Sequence, residues 1–159
     1  MCVIQVTVPR FQIGVNMSFN SGLPKSLSNL REWLPSYGET DVNTRSKDST
    51  LYVSVQYDDA EPSTSLSCKT FKFEKFCSFM ISAVPGVSIL DIKYKRPDPT
   101  IVLNHLVVHE DSEAAAAWNK HFAWASGKIK HYEIYFTSSN RTLVCFAQDV
   151  SLIDGETNS

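Results

Sequence analysis

Apolar and polar positions alternate with a period of two along much of the chain. Ile4, Val6 and Val8 share one face of a first run, Val3 to Val8. Phe11, Ile13, Val15, Met17 and Phe19 do so in a second, with Gln12, Asn16 and Ser18 between them. Successive strand side chains point to opposite faces, so each run predicts a strand with one buried face. Pro9 separates the two, and Asn20-Ser21-Gly22 supplies turn chemistry. The period then changes. Leu27, Leu30, Trp33 and Leu34 fall on one helical stripe, and Ser26 as N-cap with Pro35 as terminator predicts a helix over 26–34. Residues 36–50 hold no periodic apolar positions and predict a surface loop.

Alternation resumes at Leu51, Val53, Val55 and Tyr57, and again at Phe71 and Phe73 after a polar loop over 58–67. Phe76, Phe79, Met80 and Ile81 fit a short helix or a bulged strand. Pro85-Gly86 predicts a turn, Val87 to Tyr94 a strand, and Arg96-Pro97-Asp98-Pro99 a rigid connector. Ile101 to His109 is apolar on both faces, which predicts a central strand. Asp111 or Ser112 then caps a second helix over 112–126, with Ala114, Ala117, Trp118, Phe122 and Ala125 on its buried stripe and Gly127 just past its end. Lys128 to Phe136 and Thr142 to Ala147 flank a turn at Ser138-Ser139-Asn140-Arg141 and predict a hairpin; residues 151–159 read as a polar tail. The sum is a single α+β domain over 1–150, a mostly antiparallel sheet covered by two main helices, with no internal repeat.

Composition adds limits. With 43% hydrophobic and 11% aromatic residues among 159, the chain has material for one core, and wholesale disorder is excluded. No apolar run approaches the roughly 18 residues of a membrane span, and no signal-peptide pattern opens the chain, so a soluble intracellular domain is expected. Cys2, Cys68, Cys77 and Cys145 lack metal-type spacing and are expected as free thiols. The sequons at Asn16 and Asn140 then read as chance matches.

The formal net charge is −2, unevenly spread: residues 69–100 hold six basic and three acidic side chains. Lys69, Lys72, Lys75, Lys93, Lys95 and Arg96 could form a basic face for an anionic membrane surface or a phosphate backbone. The competing reading is a solvated strand face whose lysines blunt edge pairing.

His105 and His109, followed by Glu110 and Asp111, are the tempting metal pair. On a strand, residues four apart sit about 13 Å from each other, too far for one ion. They read as ordinary sheet histidines. No G-x-S-x-G, H-E-x-x-H or phosphate-binding glycine loop occurs. A non-enzymatic role without metal or cofactor is expected, and a hydrolase using His105, His109 and Cys145 is the least favoured class. Trp33, Trp118 and Trp124 lie on the predicted helices; Trp124, off the main stripe, is a candidate contact residue.

The strand FQIGVNMSF, turn NSGLP, helix SLSNLREWL and strand STLYVSVQY, with PTIVLNHLVVHEDSEAAAAWNKHF and the hairpin KHYEIYFTSSNRTLVCFAQDVSLI, resemble the rhabdovirus matrix protein core over roughly residues 11–153. The resemblance implies a structural virion protein of the host cytoplasm, membrane inner face and nucleus, of the short-armed, plant-infecting kind. It implies self-association, condensation of the viral nucleocapsid, attachment to the envelope, and contacts with the glycoprotein tail and host factors. The family's P-P-x-Y budding motif has its nearest counterpart in Leu34-Pro35-Ser36-Tyr37, which holds one of the two prolines. Pro35, Tyr37 and Trp124 are the candidate self-association residues, with loops 36–50 and 58–67 and the tail as docking segments. The runner-up is an intracellular α+β adaptor whose sheet holds a peptide or partner domain.

Overall fold

The computed structural model describes residues 19–58, 66–83, 92–93 and 103–155. The expected strand Val3 to Val8, residues 11–18 of the second strand, Cys2, Asn16, residues 59–65, Pro85-Gly86, residues 87–91, Lys95, the connector Arg96 to Pro99 and residues 156–159 lie outside them.

Eleven strands and one α-helix follow in order among the described residues: β1 (Phe19–Asn20), β2 (Leu23–Asn29), a 3-10 turn (Leu30–Glu32), β3 (Asp41–Lys47), β4 (Thr50–Asp58), β5 (Leu66–Glu74), β6 (Ser78–Ala83), β7 (Ile92–Lys93), β8 (His105–Glu110), α1 (Glu113–His121), β9 (Lys130–Phe136), β10 (Arg141–Ala147) and β11 (Asp149–Asp154). They form an antiparallel five-stranded sheet, β2-β8-β9-β10-β6, an antiparallel four-stranded sheet, β11-β5-β4-β3, and a short parallel pair, β1 with β7. This overturns the expected single sheet under two main helices. The fold is a mostly antiparallel β-sandwich with one short helix.

Alternation explains the core. Leu51, Val53, Val55 and Tyr57 of β4 and Phe71 and Phe73 of β5 point inward from one sheet. Leu106, Tyr132, Ile134, Phe136, Leu143 and Cys145 meet them from the other, and the Phe73 and Tyr132 rings cross edge to face at 5.6 Å. The two apolar faces bury each other as in sheet-on-sheet packing generally. On the far side of the five-stranded sheet, Ala114 and Ala115 of α1 pack on Ile129, Val144 and Phe146. Small alanines let the helix lie close to the strands.

One corner of the sandwich is continuous. β5 turns into β6 at Lys75, whose φ of 49° is left-handed, while β10 turns into β11 at Gln148. The two chains stay paired through the bend: Gln148 N–H donates to Glu74 O (3.0 Å) and Cys77 N–H to Phe146 O (2.7 Å). Phe76, Phe79, Met80 and Ile81 therefore resolve as a corner and a strand.

The helix expected over 26–34 is instead strand β2 and a 3-10 turn. Pairing of β2 with β8, with a bulge between Ser26 and Ser28, satisfies the backbone that a helix would have satisfied locally. Asn29, not Ser26, is the N-cap, its side chain accepting from Arg31 N–H. The stripe still reaches the core, since one turn delivers Leu30 and Leu34, and Trp33 packs on Tyr57 at 5.3 Å. Loop 36–50 contains β3, and the polar tail contributes residues 151–154 to β11. The second helix ends at His121 rather than 126. Ser112 is its cap, Asp111 taking a φ of 56°, and Gly127 (φ 91°) belongs to the loop beyond.

Candidate functional site

The four-stranded sheet does not cover the whole inner face of its partner. β2 and β11 are edge strands among the described elements, and between them opens a groove of about 1030 Å³. Leu106, Val108 and Tyr132 line it from the five-stranded sheet, Leu27 stands on one wall, and Val150 and Leu152 on the other. Leu27 and Leu152 are 48% and 37% exposed, an uncommon position for leucines on strands whose inner faces should be covered. The rim is polar and mixed in sign, with ion pairs Lys25–Glu110 (3.2 Å) and Lys130–Asp149 (3.6 Å).

Behind one end of the groove lies a buried polar cluster. His109 on β8 and His131 on β9 are cross-strand partners, their rings 4.4 Å apart. His109 Nε2 hydrogen-bonds Glu133 Oε2 at 2.8 Å, and His131 Nδ1 hydrogen-bonds Ser112 Oγ at 2.9 Å. The same Ser112 oxygen accepts Ala115 N–H at 3.3 Å, so one hydroxyl both caps α1 and ties it to the sheet. Burial, with His109 as a secondary cause, pushes His131 down to about 3. The ring is neutral at ordinary pH, and its Nδ1 can accept the hydrogen bond that the Ser112 hydroxyl donates.

His105 and His109 do not converge on one ion. His105 is bound to Ser26 Oγ (2.7 Å), and no group of three metal-ligating side chains forms among the described residues. Cys145 faces the opposite side of the sheet from His109, inside the core, and burial holds its thiol well above the usual range. The three residues of the hydrolase reading are thus not brought together.

The lysine-rich segment is likewise divided. Lys69 shares the inner face of β5 with Phe71, pairs with Asp154 and lies 6.0 Å from the Trp33 ring. Lys72 points to the outer face and pairs with Glu74, which raises its pKa. Lys75 sits at the corner, Lys93 contributes backbone to β7, and Lys95 and Arg96 lie outside the described residues. Pro35 and Tyr37 belong to a turn, Gly38 N–H donating to Pro35 O (2.9 Å); the Tyr37 hydroxyl donates to Asp58 O (3.0 Å). Trp124 stands 82% exposed beyond α1.

Glu133, the Ser112–His131 bond and the groove were missed by sequence reasoning. The signal that could have found the cluster is a histidine near a carboxylate on each of two neighbouring strands, His109 with Glu110 and His131 with Glu133. No family model, curated protein or solved structure matches this chain.

Proposed function

We propose that this protein acts by adhesion, taking an extended segment of a protein partner into the groove between β2 and β11. The observation that carries the reading is the pairing of two strand edges with an apolar floor. Edge strands offer rows of backbone donors and acceptors to an incoming strand, and alternate side chains of that strand would meet Leu27, Val108 and Leu152. In the matrix-type role that the sequence resemblance implies, the partner is a second copy of the chain, and association builds a larger assembly. In the adaptor role the segment comes from another protein.

The test is sedimentation velocity over a concentration series in low salt, comparing the wild type with L27D and L152D. Both leucines are substantially exposed, so the variants should fold. Concentration-dependent oligomers that both substitutions abolish are the expected result. A wild type that stays monomeric contradicts the self-association form, and oligomers untouched by both substitutions contradict the groove.

A further inference from the structure

The helix α1 sits on the five-stranded sheet through few contacts, and they differ between its two ends. Of its nine residues only Ala114 and Ala115 are buried. They rest on Ile129, Val144 and Phe146, and an apolar hollow of about 430 Å³ runs beside them, lined in part by Ala117 and Trp118. The opposite face of the sheet carries Tyr132, Ile134, Leu143 and Cys145 into the main core. With so little apolar area beneath it, the helix can open at a lower free energy than the sheet. At its far end the Asn119 side chain clasps Ile129, donating to Ile129 O at 2.9 Å and accepting Ile129 N–H at 2.7 Å. At its near end the buried hold is the Ser112–His131 bond (2.9 Å). Outside it, Asn20 donates to the exposed Glu113 carboxyl from its backbone N–H (2.7 Å) and its side chain (3.0 Å).

The near end is also where the sheet keeps ionisable groups out of water. His131 of β9 is fully buried and faces His109 of β8 with the rings 4.4 Å apart, and Glu133 is bonded to His109 Nε2. From β10 the Phe146 ring lies 4.8 Å from His131, and Cys77, just before β6, packs against the same apolar cluster with its thiol pushed up by burial. The neighbouring carboxyls point elsewhere, Glu110 to Lys25 and Glu113 to Asn20. A proton added at His131 Nδ1 turns an acceptor into a donor and forces the Ser112 hydroxyl to reverse. It also places a cation in apolar surroundings beside a second imidazole.

We propose that the first turns of α1 form an acid-released flap: a proton taken up by His131 breaks the Ser112 latch, and residues 112–118 lift from the sheet, hinged at the Asn119–Ile129 clasp. The lifted state hydrates His131 and lets it keep the proton, so acid favours that state by linkage. Burial and His109 hold the ring down to about 3 in place, against an ordinary 6.5 in water, and this difference drives the motion. Val144 and Phe146 then lose their cover, which presents an apolar face that is hidden at neutral pH. β9 keeps its pairing with β8 and β10, so the change stays local. Ser112, Ala115 and Ala116 also line one end of the groove, which the motion would reshape, but the flap does not depend on the groove reading.

The test is amide hydrogen exchange of the full chain at about pH 7 and about pH 5, corrected for intrinsic exchange and repeated in low urea. Protection of the α1 amides should be below that of β10 at both values and should fall about 25-fold from about pH 7 to about pH 5. Because the opening exposes little surface, α1 exchange should respond weakly to urea, whereas β10 exchange responds strongly. H131Q should abolish the fall, and E113Q, which alters only the outer contact with Asn20, should retain it. S112A keeps both histidines and should lower α1 protection about tenfold at about pH 7. Protection of α1 that does not change with pH in the wild type overturns the proposal, whatever the variants do. So does a fall that survives H131Q, or one lost in E113Q and kept in H131Q, which would assign the trigger to Glu113. Exchange of α1 that matches β10 in protection and urea response also overturns it, since the helix would then leave only with the whole fold.

Discussion

The two sides of this sandwich are built differently. At the corner where β5 becomes β6 and β10 becomes β11, two chains cross from sheet to sheet without losing their pairing, over fully buried Phe71 and Phe73. At the groove, β2 and β11 each end a sheet among the described residues, and leucines stand part-exposed beside it. The first side closes the fold, since Phe76, Cys77 and Gln148 N–H groups all find carbonyl partners at the bend. The second leaves backbone edges and apolar surface together, the combination that invites another strand. Stability and association are therefore expected to respond to different residues.

The largest effect should come from the closed side. Phe73→Ala removes a ring at 0% exposure and should cost about 3–5 kcal/mol, read as a large fall in melting temperature. Next comes pH. His131 has an ordinary value of 6.5 and a folded value of about 3. The unfolded chain therefore binds a proton that the folded chain refuses, and stability present above pH 6.5 is lost as pH falls towards 3. The His131 contribution should amount to about 2 kcal/mol between about pH 7 and pH 5. Comparing wild type with H131Q by denaturant titration isolates it; equal slopes for the two would contradict the assignment. Ser112→Ala, which removes both the helix cap and the His131 bond, should cost about 1–2 kcal/mol at neutral pH. Leu152→Asp, on the open side, should change stability by less than about 0.5 kcal/mol while disrupting association. A loss at Leu152 comparable to that at Phe73 would erase the distinction between the two sides.

The most legible strand was β4, whose Val53, Val55 and Tyr57 face the core while their neighbours do not. The β9–β10 hairpin, buried on both faces, was legible through its turn at Ser138-Ser139-Asn140-Arg141. The edge strands were not legible. β3 turns only Val42, Thr44 and Ser46 inward, a polar set that reads as loop. In β2 the leucine spacing fits a helix, and only the partner strand β8 decides otherwise. Local pattern loses to tertiary pairing at such positions. The candidate site was hidden for a related reason. His131 and Glu133 share the face of β9 that alternation marks as polar, yet both are fully buried, so their environment is set by elements distant in sequence. Trp124, expected as a contact residue off the stripe of the second helix, is 82% exposed but lies in the loop beyond α1.

Hydrogen–deuterium exchange at low and high protein concentration tests the open-edge reading most directly. Amides of β2 and β11 should gain protection as concentration rises, while those of β5 and β10 stay equally protected throughout. Unchanged exchange in β2 and β11 across the range, with the oligomers still forming, would show that association uses some other surface.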